Sequence, residues 1–591
     1  MNAGNEFDVV IVGGGPAGST VGTLLRKYNP NLSVLILEKE HFPRPHIGES
    51  QLPAISFVLD EMGVWDKVEA AGFPIKLGAS FTWGKDDESW DLDFYPAEHF
   101  KHEPRPAKYQ GQRQYTAFQV DRPRYDEILL RNAESMGVSV REGTLVREVL
   151  REGDRITGLR LDDGDVVTGR HYVDATGAVG LIRRAMGVES DAPKELRNIA
   201  IWDYWENAEW AIEIGVGGTR IQVRSLPYGW IWFIPIGETR TSIGLVCPSE
   251  YYKQSGLTPA ELYDKAVRTH PQLTELLAKA TPSGNVETTK DWSHLAQRLV
   301  GENWFLVGEA AGFADPILSA GMTLAHSSGR DAAYTILEIE RAKIDAAWLR
   351  RRYDDQNRRS IKYHIRFARY WYASNGRFTD LKEHCRKIAR EDGLTLTPKQ
   401  AWEWLARGGF STMGVESAQV GSFDLFCALK LVDKFMGSSS EYTYLKYNHY
   451  KLELNGATKD ALGMLRNGGI TPVPCYRRAN RILPLAGAYA NIVRALHLSP
   501  DAITLLQTLR RSVETQVDAA HRDRVLSDHF QALEAMLVEG WVTGKKKPGR
   551  PMIKVTDDGT SYFRSTADGE EALRKAEETR AKAEPRPSGS G

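Results

Sequence analysis

The stretch Gly13-Gly14-Gly15-Pro16-Ala17-Gly18 constrains this chain most, because glycines at that spacing suit the turn between a strand and a helix. Phe7 to Val12 before it is a short apolar run, and a helical pattern follows through Leu25. In that context Gly13 allows the tight turn, Gly15 lets backbone approach a pyrophosphate, and Gly18 lets helix and sheet pack closely. Pro16 and Ala17 open the helix, whose unpaired N–H groups and dipole favour an anion. The next apolar run, Val34 to Leu37, ends on Glu38, where a carboxylate bonds the ribose hydroxyl of an unphosphorylated adenosine. Strand, glycines, helix, strand and acid in that order predict a dinucleotide site. They do not distinguish FAD from NAD.

At 591 residues the chain is too long for one simple core, and its 42% hydrophobic and 26% charged content is that of a globular protein. A formal net charge of −1 gives no global footprint for nucleic acid or a membrane surface. Cys247, Cys385, Cys427 and Cys475 lie far apart, so neither a zinc site nor a disulfide framework is indicated, and a reducing, cytoplasmic setting is expected. The first residues lack the basic region of a secretory signal, and no run is apolar enough to span a bilayer.

Two later segments resolve the cofactor. Tyr172-Val173-Asp174-Ala175-Thr176-Gly177 reads as a strand ending in a small-residue turn. Asn303 to Val307, followed by Gly308-Glu309-Ala310-Ala311-Gly312, reads as another, leading through Asp315-Pro316 to Gly321 and a long helix. The set resembles the FAD-binding pattern of the glutathione-reductase-like flavoproteins, in which the last segment contacts the ribityl and pyrophosphate region. Glu309 stands where that pattern commonly has aspartate. His46-Ile47-Gly48-Glu49-Ser50 and Gln119-Val120-Asp121-Arg122-Pro123 resemble two further flavin-contacting segments. Arg122 suits a phosphate or flavin by chemistry alone, although a surface arginine is the plainer reading. The resemblance implies FAD contacts from Gly13, Gly15, Pro16, Ala17, Gly18, Glu38, Gly48, Glu49, Ser50, Arg122, Val146, Gly308, Glu309, Asp315, Gly321 and Met322.

Between these segments, pieces near 75–120 and 195–250 read as a second sheet. Arg220 to Ser225, Gly229-Trp230-Ile231-Trp232-Phe233-Ile234-Pro235 and Thr241 to Cys247 alternate as an antiparallel meander with turns at Pro227-Tyr228-Gly229 and Gly237-Glu238. Alternation places Trp230, Trp232 and Ile234 on one face. Taken alone this is an aromatic-rich buried strand. Together with the glycine fingerprint, however, Trp230 to Pro235 resembles the W-x-W-x-I-P motif of the flavin-dependent halogenases. Pro74 to Gly84, containing Lys76, resembles that family's catalytic-lysine segment, and Asp315-Pro316-Ile317-Leu318-Ser319-Ala320-Gly321 its halide-binding segment.

The family resemblance covers about the first 350 residues. It implies an α/β fold: a glutathione-reductase-like FAD-binding Rossmann domain interleaved with an antiparallel β-sheet substrate domain, plus a mostly helical C-terminal region. It also implies that FADH2, O2 and chloride or bromide yield hypohalous acid. Lys76 then either polarises that acid or becomes a haloamine that hands on electrophilic halogen; most lysines, by contrast, sit exposed at strand edges. Backbone N–H groups around Ala320, Gly321 and Met322, where the long helix begins, would hold halide, with Ser319 in the catalytic set beside Lys76. Trp230 and Trp232 would part flavin from substrate. Tryptophan-specific members carry glutamate where Leu318 stands, so the resemblance points to a phenol, a pyrrole or a carrier-protein-bound aromatic, with indole less favoured. A separate NAD(P)H-dependent flavin reductase is implied, since no second nucleotide fingerprint is present. A flavin monooxygenase or prenyl-chain reductase on the same scaffold is the first rival.

The segments divide as a core over 1–353, a helical substrate-capping region over 354–484, a winged-helix-like module over 485–566 and a charged tail over 567–591. Tyr363, Phe367, Tyr370 and Trp371 follow helical spacing, which suits a core stripe or a substrate lining. Trp402, Trp404 and Gly408-Gly409 extend the capping pattern. Ser499-Pro500 is expected to open a helix through Leu509, and a second helix spans roughly 524–539. The basic run Lys545 to Arg550 precedes a strand over 552–555. A flavin-binding regulator that uses this module on DNA is the rival from another class, with docking to a partner or to the chain itself the more economical role.

Overall fold

The computed structural model describes residues 5–82, 89–95, 97–210, 217–290, 292–372, 386, 390, 443–479, 481–516, 522–555 and 563–565. Trp402, Trp404, Gly408, Gly409, Cys385, Cys427 and the 567–591 tail lie outside them, as do the side chains of Leu318, Phe367, Tyr370 and Trp371. Two compact units are present. The first comprises Met1–His384 with Gln419–Ser422 and Leu465–Thr471; the second comprises Cys385–Ala418, Phe423–Met464 and Pro472–Gly591. Residue 353, drawn above as the end of the core, falls inside the continuous helix Ala346–Tyr372.

In the first unit the fingerprint strand Glu6–Val12 pairs in parallel with Val34–Leu37 on one side and Val166–Asp174 on the other. Ser139–Arg141 and Trp304–Leu306 extend this parallel sheet at either end. Its strands are continuous apolar runs because helices cover a parallel sheet, and Val9, Val10 and Ile11 are wholly buried. The glycine loop feeds the helix Pro16–Tyr28. A Cβ at Gly13 would lie 2.3 Å from the Ala175 carbonyl oxygen, and one at Gly18 2.0 Å from that of Gly13, so both positions require glycine.

The second sheet is the expected meander, extended. Gly218–Leu226, Gly229–Pro235 and Arg240–Pro248 run antiparallel in sequence, and Asn198–Glu206 adds beyond the last of them. Ile75–Thr82, the lysine strand, joins the other side of Gly218–Leu226 in parallel and is itself flanked by Ser89–Asp93 and Ala117–Phe118. Lys76 is therefore interior to the sheet. Ile231 and Phe233 face a core with Ile243, Leu245, Leu262 and Tyr263, leaving Trp230 and Trp232 on the opposite face.

In the second unit three helices, Gly487–Leu498, Ala502–Gln516 and Arg522–Val538, share an apolar core with Tyr444, Tyr450 and Trp541. The helix expected from Ser499-Pro500 begins only at Ala502. The Pro500 carbonyl accepts from Tyr450 N (2.7 Å) and the Asn448 carbonyl from Ala502 N (3.1 Å), which draws residues 499–501 out as a strand-like edge. The last helix buries Leu526, Phe530, Leu533, Glu534 and Met536, and the Glu534 carboxylate accepts Thr443 N and Tyr444 N at 3.0 Å each. Among the described residues no helix is long and apolar enough to cross a membrane.

Across the meander Trp232 pairs with Gly244, and a Cβ there would lie 2.1 Å from Trp232 Cζ2. Gly244→Ala is expected to displace that indole and cost about 1–3 kcal/mol, the usual penalty of overpacking. Thermal unfolding together with near-ultraviolet circular dichroism checks both effects.

Candidate active site

The lysine site is assembled from three chain segments. Lys76 is 1% exposed, and its Nζ donates to Ser50 Oγ (2.7 Å), the Gln51 carbonyl (2.9 Å) and Ser319 Oγ (3.3 Å). The Phe94 ring lies 5.2 Å from Nζ. All three acceptors are neutral, so burial pushes the amine down to about 7. At neutral pH this lysine divides between ammonium and free amine. Lys76 and Ser319, placed together by resemblance alone, are neighbours.

The loop carrying Ser50 is held from behind. Gly48 takes a φ of +101°, and the Ile47 and Gly48 carbonyls accept from Arg122 Nη1 at 2.7 and 3.1 Å. Arg122 also makes two 2.8 Å bonds to buried Asp126. The surface arginine is not what the structure contains: Arg122 is a buried clamp on the His46–Ser50 loop. Glu49 is buried as well, and burial, opposed by the nearby Tyr204 and Ser242 hydroxyls and by Arg122, lifts its carboxyl to about 7.

The second loop runs from Phe313 to Ser319. Ser319 has φ 54° and ψ 30°, a left-handed conformation that starts the 22-residue helix Ala320–Arg341 with no side-chain cap. The first N–H groups of that helix belong to Ala320, Gly321 and Met322. Gly321 also has a packing role, since a Cβ there would meet the Phe313 ring at 2.7 Å. Asp315, expected among the cofactor contacts, is wholly buried and turned inward: it accepts from Ile317 N (3.0 Å), Tyr372 Oη (2.9 Å) and Trp292 Nε1 (3.4 Å). Its side chain shapes the loop from within.

Residues for FAD fit an anionic dinucleotide. The helix Pro16–Tyr28 has no side-chain cap and no acid in its first turn, so its N-terminal N–H groups are left for a ligand. Glu38 lies at the loop, where its two carboxylate oxygens accept Gly14 N (2.7 Å) and Glu40 N (3.0 Å), with lone pairs remaining for ribose. Gly308 (φ +57°) packs on Ala17 and begins the turn carrying Glu309, whose carboxyl burial raises and Arg122 and His294 oppose. Val146 is buried opposite Leu161 on a hairpin.

Sequence reasoning missed four groups here: Tyr204 and Ser242 near Glu49, then Tyr372 and His326. His326 is buried in the long helix, with Thr20 Oγ1 at 2.8 Å from Nδ1 and Tyr125 Oη at 2.8 Å from Nε2. Thr20 donates its own proton to the Pro16 carbonyl (2.7 Å), so Nδ1 carries the hydrogen and Nε2 accepts from Tyr125. Burial holds His326 down to about 3, hence neutral. It ties the glycine-loop helix to the helix that follows Ser319. No short-range pattern marks any of these residues, because each gains its partner from a distant segment.

Comparison with known proteins matches residues 8–103 and 94–400 to the tryptophan halogenase family model. The chain is 35% identical over 355 residues to a tryptophan 2-halogenase of Chondromyces crocatus, a match covering 59% of this chain and 64% of that one. It is 34% identical over 389 residues to the 1H-pyrrole-2-carbonyl-(peptidyl-carrier protein) chlorinase of Pseudomonas fluorescens, covering 64% and 85%. Among solved structures, the myxobacterial chondrochloren halogenase CndH is 29% identical with a TM-score of 0.59 over 73% of this chain and 97% of that one. The flavin-dependent halogenase CmlS, at 24% identity, shares the fold with a TM-score of 0.69 over 94% and 100%.

A buried amine with a lowered pKa binds fewer protons folded than unfolded, so between pH 7 and 10.5 its contribution to stability grows with pH, and below 7 the full cost of the buried charge applies. Lys76→Met is therefore expected to stabilise the protein, by on the order of 1–4 kcal/mol below pH 7 and by much less near pH 10.5. Denaturant unfolding of both proteins at pH 6 and pH 10 measures the difference.

Proposed function

The chain belongs to the tryptophan halogenase family of flavin-dependent halogenases, and from that premise we propose that it halogenates an electron-rich aromatic ring at Lys76. The observation carrying this reading is a buried lysine with only neutral acceptors, held by one serine from each of the two loops expected to border flavin. Bound reduced FAD would supply, with O2 and halide, hypohalous acid. A separate flavin reductase would deliver the reduced cofactor.

The chain's own residues then have distinct tasks. The N–H groups of Ala320, Gly321 and Met322 form the halide seat, where a helix dipole favours an anion without any cationic side chain. Trp230 and Trp232 keep an arene away from the flavin, so that only a small acid passes. At Lys76 the ammonium form donates a hydrogen bond to the oxygen of HOX, which leaves as water once the ring takes the halogen. The free-amine form condenses with HOX to release water and give an N–halo amine; the arene then takes halogen from nitrogen and returns its proton to the amine. Both routes balance as ArH plus HOX giving ArX plus water. Ser50, Ser319 and the Gln51 carbonyl aim Nζ in either case.

Leu318 supplies no carboxylate beside the lysine, so the ring must stabilise the arenium cation itself. A phenol or a pyrrole does so through its own oxygen or nitrogen. The chlorinase relative is named for a carrier-bound pyrrole and supports that class; the relative named for tryptophan keeps indole in the comparison. The oxygenase and reductase readings predict product with new oxygen, or reduced alkene, and no halogen.

Mass spectrometry of products from phenol, pyrrole and indole substrates, free and carrier-bound, with reduced FAD and either halide, tests the reading. Halogenated phenol or pyrrole is expected; oxygenated product independent of halide refutes it, and preferred turnover of free tryptophan refutes the substrate class. Lys76→Ala should leave FAD binding and hypohalous acid release intact and lower regioselective product at least about 100-fold, in the range of a lost acid–base or nucleophilic group. Undiminished product would remove Lys76 from the chemistry.

A further inference from the structure

Each wall tryptophan is tethered through its indole nitrogen. Trp230 Nε1–H donates to Tyr372 Oη at 3.0 Å, and Tyr372 donates to Asp315 Oδ1 at 2.9 Å. Trp232 Nε1–H donates to Ser242 Oγ at 3.1 Å. An indole nitrogen only donates, so each hydroxyl accepts there, and the Tyr372 hydroxyl passes its own proton on to Asp315. The two rings stand 6.0 Å apart between centroids, tilted by 54°.

The chain from Trp230 ends on a loop that holds the lysine. Asp315 is four residues before Ser319, one of the two hydroxyls on Lys76 Nζ. Buried indoles usually find a partner, but a generic partner would not end on a loop that holds the lysine, as the Trp230 chain does. We propose that these tethers set the wall in register with Lys76, with Tyr372 and Ser242 as positioning residues. A hydrogen bond to a charged acceptor is the stronger kind, and in a dry interior it fixes ring orientation. Tyr372 lies on the helix Ala346–Tyr372, so that helix contributes to the wall.

This inference rests on the halogenase reading for its consequence and on the indole bonds for its geometry, and the two are separable. Full-length protein with 15N-labelled indoles gives each N–H a resonance, and Trp230→Phe and Trp232→Phe assign the two in question. In Tyr372→Phe the Trp230 N–H is expected to shift and to exchange with solvent at least about tenfold faster, as loss of one buried bond implies. Ser242→Ala should do the same to Trp232 alone. With FAD affinity within about threefold of wild type, each variant should also release about tenfold more hypohalous acid to an added scavenger per halogenated product, the effect of roughly one lost hydrogen bond. An unshifted indole signal refutes the tether. A shifted signal with unchanged release refutes the positioning role. If wild-type protein makes no halogenated product, the halogenase reading fails by itself while the indole measurements still decide the tethers.

Discussion

The structure depends on keeping an amine dry without giving it a counter-ion. Lys76 is surrounded by two serine hydroxyls, one backbone carbonyl and an aromatic ring, none of which pays back the loss of water with charge. A carboxylate at hydrogen-bond distance would lock the group as ammonium and raise its pKa, and exposure at a sheet edge would do likewise. Neutral acceptors leave it poised between its two forms. The surrounding fold must therefore deliver oxygen atoms from separate segments to one point and exclude water there.

Three devices achieve this delivery, and each relies on a buried polar group with a distant partner. Arg122, paired with Asp126, clamps the Ile47 and Gly48 carbonyls and so sets the loop that presents Ser50 and Gln51. Asp315 takes donors from three directions and sets the turn that presents Ser319 in its left-handed conformation. Neutral His326 joins Thr20 on the glycine-loop helix to Tyr125 on the helix that begins at Arg122. The glycine loop, the Ser50 loop and the Ser319 loop are thereby each held by hydrogen bonds from buried groups of distant segments.

Much of this was legible in the sequence because it is written in short-range pattern. The glycine fingerprint, the alternation around Trp230 and the turns at Pro227–Gly229 are local consequences of backbone geometry, and the strands formed where the alternation put them. The place of Lys76 came from motif resemblance; periodicity alone would have left it on an edge. The burial of Arg122, against the plain reading of a surface arginine, was not legible because burial depends on what packs above it. Tyr372 escaped notice for the same reason: helical spacing singled out Tyr363, Phe367, Tyr370 and Trp371, yet the residue after them is the one bonded to Trp230 and Asp315. At Ser499-Pro500 the local cap signal lost to pairing with Tyr450, a contact some fifty residues away in the chain.

Under the proposed reaction, the tryptophan wall and the lysine would impose one requirement on each other. Hypohalous acid is small and reacts with any electron-rich ring, indole included, so a partition made of indoles succeeds only if the rings are held edge and face as packing dictates. Gly244 beneath Trp232 permits close packing of that ring, and the bonded N–H groups remove rotation about it. A rigid wall in turn allows the amine to be the first group the acid meets with freedom to react. If Lys76 were exposed, water would compete for the acid; if the wall moved, the arene would meet the flavin first. Selectivity in such a site would thus come from what is kept apart, and the groups that hold the wall are a buried carboxylate and two hydroxyls behind it.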